Sequence, residues 1–367
     1  MRIALVVPGG VDRSGEFRVI PALLALIERL AMRHDVQVFA LQQEPQPGQW
    51  PLAGAVIHNI GLRRTRLRAV RAIAARHRDR RFDLVHAIWS GNCGLIAVVA
   101  ARLLGLPSVV HITGGELVAL PDLHYGGMLS WRGRLRETWV LRRASAITGT
   151  STPVIRALAQ LGFSAQRLPL GIDLGKWPLR APRPRPPERP ARLIHVGSLN
   201  RVKDQSTLLR ALAVLARSGA RFDMDIVGED ILGGRIQRLA AELELSSHVR
   251  FHGFLTQSQL RPLIEAADLM IHSSCYEAGP FVLLEAAVAG VPSVGTRVGH
   301  FTEWAPGAAV AVPVRDHEAL AAAVARVLAD DTLRLRIAAA AAARAQQEDA
   351  DNTASLVQQL YDRLVPA

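Results

Sequence analysis

ADLMIHSSCYEAGPFVLLEAAVAGVPSVGT, running from Ala267 to Thr296, changes its hydrophobic pattern twice within one short stretch. LMIHSS is a brief apolar run with the look of a buried strand ending at Ser273 or Ser274. The polar turn CYEAGP follows. A helix then begins near Phe281, with Pro280 at its mouth where a missing N–H costs little, and it stops at Gly290 ahead of Pro292. PSVGT opens the next strand. Strand, helix, strand is the unit from which parallel sheets are wound, and it predicts a sheet covered on both faces by helices.

The same alternation extends through the chain. IALVV, VQVFAL, LVHAI, SVVHI and AITGTS are strand-like in the first half. RLIHVG, DMDIVG, VRFHG, LMIHSS, PSVGT and AVAVPV are strand-like in the second. Helix-like windows such as Pro21 to Met32 and Thr207 to Arg217 separate most of them. Between the halves PLRAPRPRPPERPA, Pro178 to Ala191, carries proline at every second or third position, which favours an extended spacer. The pattern predicts an α/β chain of two doubly wound parallel-sheet domains, 1–177 and 192–350, with 178–191 as linker and 351–367 as a closing helix. Ligands of such folds sit where loops at the carboxyl ends of the strands face each other across a cleft.

Composition narrows the function. With 367 residues, 49% of them apolar and 21% charged, the chain has material for two cores and is poorly suited to disorder. Its two cysteines, Cys93 and Cys275, lack the spacing of a metal site or a disulfide framework, which suits a reducing cytoplasm. The apolar run at the N-terminus is too short for a signal peptide and reads as a first strand; no transmembrane helix is expected. The net charge of +12 is lopsided: residues 1–180 hold 24 Lys and Arg against 11 Asp and Glu, and nine of those arginines lie between Arg63 and Arg81. That run reads either as a solvated face or as attraction to an anionic surface such as a membrane. It carries no aromatic residue to stack on bases, so nucleic acid is not an expected partner.

Chemistry concentrates in the second half. RLIHVGSLNRVKDQSTLLRAL predicts a strand, a Gly197–Ser198 turn, a polar loop with Arg201 and Lys203, and a helix opened near Asp204 or Ser206. Basic side chains beside a helix N-terminus suit a diphosphate. Lys203 is one of only two lysines in a chain that otherwise uses arginine, which points to a site needing a compact ammonium. In the opening stretch, the free N–H groups of Phe281 and Val282 face out of the strand's carboxyl end. Glu285, one turn on, can accept from vicinal hydroxyls, and Glu277 on the loop can reach hydroxyls on the other side of the same phosphates. Helix-dipole stabilisation could account for Glu285 but leaves Glu277 unexplained.

Glu277 and Glu285, eight apart, resemble the E-x7-E signature of retaining GT-B glycosyltransferases, and the chain as a whole resembles glycosyltransferase family 4. VGSLNRVKDQSTLLRA, VRFHGF, VGHFTEW, ASAITGTS, LPLGIDLGKW and TASLVQQLYDRLV match that family's segments in order. The resemblance implies a GT-B fold, two Rossmann-like domains whose last helix packs back on the first, and transfer of a sugar from a UDP- or GDP-sugar with retention. The acceptor would be a glycan, a lipid-linked intermediate or a small molecule. Glu277 would hold the sugar's hydroxyls, Glu285 the ribose, and Lys203 with Arg201 the leaving diphosphate. Gly197, Ser198, Gly279, Phe281 and Val282 would line the donor, while Gly253 and Phe254 would border the base. No metal or other cofactor is implied.

This chain departs from the family pattern at Ser198, where relatives carry arginine, and at Gly114, where they carry histidine. His111, Gly115 or Glu116 is then expected on the acceptor side; His111 reads equally well as a satisfied histidine at a strand end. In the first glycine loop, Gly15 is expected to approach the donor, and Arg18 to fall on the following helix facing the cleft. The expected location is cytoplasmic, with peripheral contact at an anionic membrane through Arg63–Arg81. The rival functions are a sugar-nucleotide epimerase or hydrolase and a nucleotide-binding protein without transferase activity.

Overall fold

The computed structural model describes residues 1–366, which divide into two compact units: 1–173 with 348–366, and 174–347. Each unit is an α/β sheet with its own buried core.

The first unit holds eight strands: β1 (Arg2–Val7), β2 (Asp35–Ala40), β3 (Gly48–Leu52), β4 (Ala55–Asn59), β5 (Leu84–Ile88), β6 (Ser108–Ile112), β7 (Ala146–Gly149) and β8 (Gln166–Arg167). They lie in the order β3-β4-β2-β1-β5-β6-β7-β8. All neighbours are parallel except β3, which returns antiparallel on β4 with Trp50 opposite Ile57. Parallel strands covered on both faces have no solvent side, so β1, β5 and β6 are buried at every residue and read as apolar runs rather than alternations. Strand order reverses between β1 and β5, so the loops after those two strands part and leave a crevice at their carboxyl ends.

The closing helix Ala350–Leu364 belongs to this unit and packs on helix Pro21–Ala31. Its N-cap is Asp349, whose carboxylate accepts from Asn352 N. Thr353 Oγ1 donates to Pro169 O at 2.8 Å and accepts from Gly171 N at 2.9 Å. Further along, Tyr361 is fully buried with its hydroxyl 2.7 Å from His86 Nδ1.

The second unit holds β9 (Ala191–Val196), β10 (Phe222–Val227), β11 (Val249–Gly253), β12 (Leu269–His272), β13 (Ser293–Thr296) and β14 (Val310–Val312), all parallel, in the order β11-β10-β9-β12-β13-β14. The strand order here reverses between β9 and β12. The loops leaving these two strands are 197–204 and 273–280.

The proline-rich stretch 178–191 lies within the second unit rather than between the units, because its arginines are fastened there. Arg189 forks onto the buried Asp268 carboxylate at 2.7 and 2.8 Å, and Arg183 Nη2 donates to Ala267 O at 3.0 Å. The buried Arg334 reaches back to Arg183 O. The change of unit falls at Asp173–Leu174.

Candidate functional site

At the reversal point of the second unit, loop 197–204 is shaped by Asn200, whose Oδ1 accepts the N–H groups of Val202 and Lys203, both at 2.9 Å. Asp204 then caps helix Gln205–Arg217, accepting from Thr207 N and from Thr207 Oγ1 at 2.7 Å. The Lys203 side chain crosses the Gly197 turn so closely that a Cβ on Gly197 would stand 3.3 Å from its methylenes. Hydrogen bonds tie this loop to the one after β12, among them a long one from Cys275 Sγ to Asp204 Oδ2 at 3.6 Å. Cys275 N donates to Val202 O at 2.7 Å, Ser273 Oγ donates to Lys203 O at 2.8 Å, and Lys203 Nζ meets Glu277 Oε1 at 2.5 Å.

Glu277 is the hub of the site. Besides Lys203, its Oε1 accepts from Ser274 Oγ at 2.7 Å and lies 3.3 Å from His272 Nε2. Burial by itself would raise this carboxyl, but the Lys203 ammonium and His272 outweigh burial and hold it well below the ordinary carboxylate range. Among the described residues the carboxylate's contacts fall on Oε1, which leaves the acceptor capacity of Oε2 for a hydroxyl. Lys203 carries three N–H donors and uses one on Glu277.

Behind Glu277 lies a stack of buried rings. His272 is sandwiched between His195, at 6.1 Å between ring centroids, and Phe301, at 5.4 Å. Burial lowers the pKa of the His272 ring, against the pull of the Glu277 carboxylate beside its Nε2. Burial likewise drives His195 down to about 3. On the far side Gly299 and His300 close the loop. A Cβ on Gly279 would stand 2.6 Å from His300 Nε2, so only glycine fits there.

The helix predicted from the opening stretch runs Phe281–Val288 with Pro280 as its N-cap, so the N–H groups of Phe281 and Val282 lie in its first turn without intrahelical acceptors. Glu285 is 3% exposed, and no cation among the described residues shifts its carboxyl. Burial pushes its carboxyl up to about 7, against the pull of a hydrogen bond from Gln257. Gln257 is itself held by Trp177 Nε1 at 3.0 Å. Arg201 and Ser198 are exposed on the loop ahead of Lys203. Gly253, with φ +66, ends β11 beside the half-exposed Phe254, and His252 Nε2 meets Asp225 at 2.7 Å.

In the first unit the structure corrects two expectations. Arg18 is not on a helix, because the helix waits for Pro21. Arg18 sits in the preceding loop at φ +51, and its guanidinium turns inward to donate to Gln43 O at 2.5 Å. His111 is not a ligand-facing group either. It lies fully buried inside β6 with Nδ1 2.9 Å from Thr148 Oγ1, and burial lowers it to about 3.

Gly15, at φ +71, turns the exposed end of the first loop. Gly115 is pressed against Tyr125, where a Cβ would meet the ring at 2.4 Å. Glu116 is placed otherwise, since it borders a cavity of about 250 Å³ at the reversal point of the first sheet. Its carboxylate accepts from Gly114 N at 2.7 Å and Ser90 N at 3.2 Å, while burial raises its carboxyl. Trp89, Asn92, Thr65 and Arg66 line the same cavity, and Trp89 is held at φ +70, a costly conformation for a bulky residue.

Sequence reasoning missed His272, His195, Ser274 and Trp89. Apolar neighbours on either side made the histidines look like interior strand positions, and no spacing rule marks the others.

Comparison with known proteins bears on the family and the fold. A family model described as "Glycosyl transferases group 1" matches residues 180–344, and a "Glycosyl transferase 4-like domain" matches residues 19–171. The glycogen synthase of Mycobacterium tuberculosis strain H37Rv is 30% identical over 313 residues, covering 80% of this chain and 72% of that protein. Among solved structures, the sucrose-phosphate synthase of Thermosynechococcus elongatus superposes with a TM-score of 0.85 at 20% identity, over 99% of both chains. Anabaena HepE in complex with UDP-glucose superposes at 0.77 and 20% identity, over 99% of this chain and 100% of that one.

Proposed function

Because the chain belongs to the group 1 glycosyl transferases, with a glycosyl transferase 4-like first domain, and is a glycosyltransferase, we propose that it moves a sugar from a nucleoside diphosphate to a lipid-linked or polysaccharide acceptor with retained anomeric configuration. The observation that carries this reading is the Lys203–Glu277 contact at the reversal point of the second sheet. One group of the pair brings a positive charge for a leaving diphosphate, the other a carboxylate oxygen for a sugar hydroxyl.

On this reading Lys203 turns its remaining N–H donors to the diphosphate and opposes the charge that builds as the glycosidic bond breaks. Arg201, exposed next to it, adds a second charge. The first-turn N–H groups of Phe281 and Val282 donate to a phosphate or sugar oxygen. Glu277, oriented by Ser274 and His272, fixes the sugar through Oε2, and Glu285 takes the ribose hydroxyls. The binding of a UDP-sugar by the Anabaena protein of similar fold supports this choice of donor class. The acceptor is assigned to the cavity beside Glu116, and the arginine run Arg63–Arg81 draws the protein to an anionic surface.

Thermal unfolding against a panel of UDP-, GDP- and ADP-sugars tests the donor. One sugar nucleotide at about a hundred times its Kd should raise the stability of the folded protein by about 2.7 kcal/mol. No response to any member of the panel would overturn the assignment. Proton NMR of the product then reads the anomeric configuration, and inversion would overturn retention.

A further inference from the structure

Helix Trp131–Arg143, WRGRLRETWVLRR, presents two opposed faces. Gly133, Glu137, Val140 and Leu141 are buried against the first unit. The outward face carries Trp131, Leu135 and Trp139, spaced one turn apart so that they form a single crest, exposed by 60%, 60% and 38%. Large apolar groups in such a row are not isolated surface residues. Arg132, Arg134, Arg142 and Arg143 surround the crest and are exposed. The helix has one acid, Glu137, which is fully buried and accepts from Ser90 Oγ at 2.5 Å. The outward face is therefore aromatic and cationic, with no negative charge of its own.

From this the geometry points to helix Trp131–Arg143 as a docking surface for an anionic lipid bilayer. Indole rings favour the boundary between headgroups and acyl chains, and arginines flanking them pair with lipid phosphates while their stems lie along apolar surface. Charge complementarity selects this occupant over an uncharged apolar partner. No helix among the described residues is long and apolar enough to cross a membrane, so this face would rest in the interface.

A second feature lies on the same side of the sheet. Helix Gly91–Leu104 packs against both the docking helix and helix Thr65–Asp79, whose Arg66, Leu67 and Arg68 are exposed. The docking helix also touches the cavity of the first unit, since Ser90 lines that cavity and donates to Glu137. Use of this face to present a membrane-borne acceptor to the cavity rests on the glycosyl-transfer reading; the docking itself does not.

The test is sedimentation of the full chain with vesicles of phosphatidylcholine alone and of phosphatidylcholine mixed with phosphatidylglycerol. Wild type should bind the mixed vesicles, with its tryptophan emission quenched by brominated acyl chains, a readout that needs no variant. Combined Trp131→Ser, Leu135→Ser and Trp139→Ser should weaken binding by roughly tenfold or more, about 1.4 kcal/mol, with the donor-sugar thermal shift unchanged. Unquenched emission, or equal binding by the triple variant, overturns the proposal. So does a dimer or a complex with single-stranded DNA that the triple variant loses while vesicles go unbound. None of these outcomes disturbs the donor assignment, which the sugar-nucleotide panel tests separately.

Discussion

Replacing Glu285 by Gln should make the protein more stable in alkali and poorer at holding its donor. The Glu285 carboxyl is pushed up to about 7 by burial, from an ordinary 4.5 in the unfolded chain. Below pH 4.5 the group is neutral in both states and costs nothing. As pH rises from 4.5 through 7 the unfolded chain ionises first, so stability is lost over that window and the loss is complete above it. At about 1.4 kcal/mol per pH unit, the gap between 4.5 and about 7 amounts to about 3 kcal/mol.

Glutamine keeps the size and the hydrogen-bonding oxygen of the side chain without the charge. In urea unfolding, the difference between variant and wild type should therefore widen in the variant's favour by about 2 kcal/mol from pH 5.5 to pH 8.5. Comparing the two proteins at each pH cancels the other titrating groups. Donor affinity should fall in the same variant, since the ribose would face an amide instead of a carboxylate. A stability difference that stays flat across that range would refute the account of Glu285 as a buried acid without a counter-charge.

Glu277→Gln should cut turnover by roughly a hundredfold or more in a steady-state assay, because it breaks the pairing with Lys203 and the grip on the sugar; a change within twofold would count against the site. His111→Val should reduce sensitivity to acid. His111 is held down at about 3 against about 6.5 unfolded, so its contribution is present above pH 6.5 and lost as pH falls below it, about 2 kcal/mol between pH 7 and pH 5. Urea midpoints of variant and wild type at those two values check this, and parallel losses would contradict it. The same variant should keep its transferase rate, since His111 is fully buried inside β6.

Much of this architecture could be read from the chain. Each long parallel strand is an unbroken apolar run, and the Gly290–Pro292 stop bounded a helix correctly because those residues cannot continue one. The β3–β4 hairpin escaped notice because GQWPL carries glycine and proline, which demote a strand, and it survives only as an antiparallel edge. Arg18 was misplaced because no local signal tells a loop arginine from a first-turn one until Pro21 is recognised as the helix start. The proline-rich stretch reads as a spacer by composition, yet long-range pairs such as Arg189 with Asp268, 79 residues apart, fix it to the second sheet.

The donor site was legible in its outline, since Lys203 and Glu277 sit on the two loops that the strand order brings together. Their direct pairing, and the histidine stack behind them, depend on contacts between residues about 75 positions apart. No spacing rule encodes those. On the acceptor side the departure at Gly114 left the sequence with several candidates. Burial then separated them, taking His111 into the core and leaving Glu116 at the cavity.

The release of diphosphate nucleotide from the donor sugar that the panel identifies, in wild type and in Lys203→Ala, tests the central claim most directly. Removing the one ammonium at the leaving-group position should lower the rate by roughly a hundredfold to a thousandfold, in a variant that still unfolds in one cooperative thermal transition although Glu277 has lost its counter-charge. A rate within twofold of wild type would contradict the assignment of Lys203, and with it the reading of this pair as the heart of the donor site.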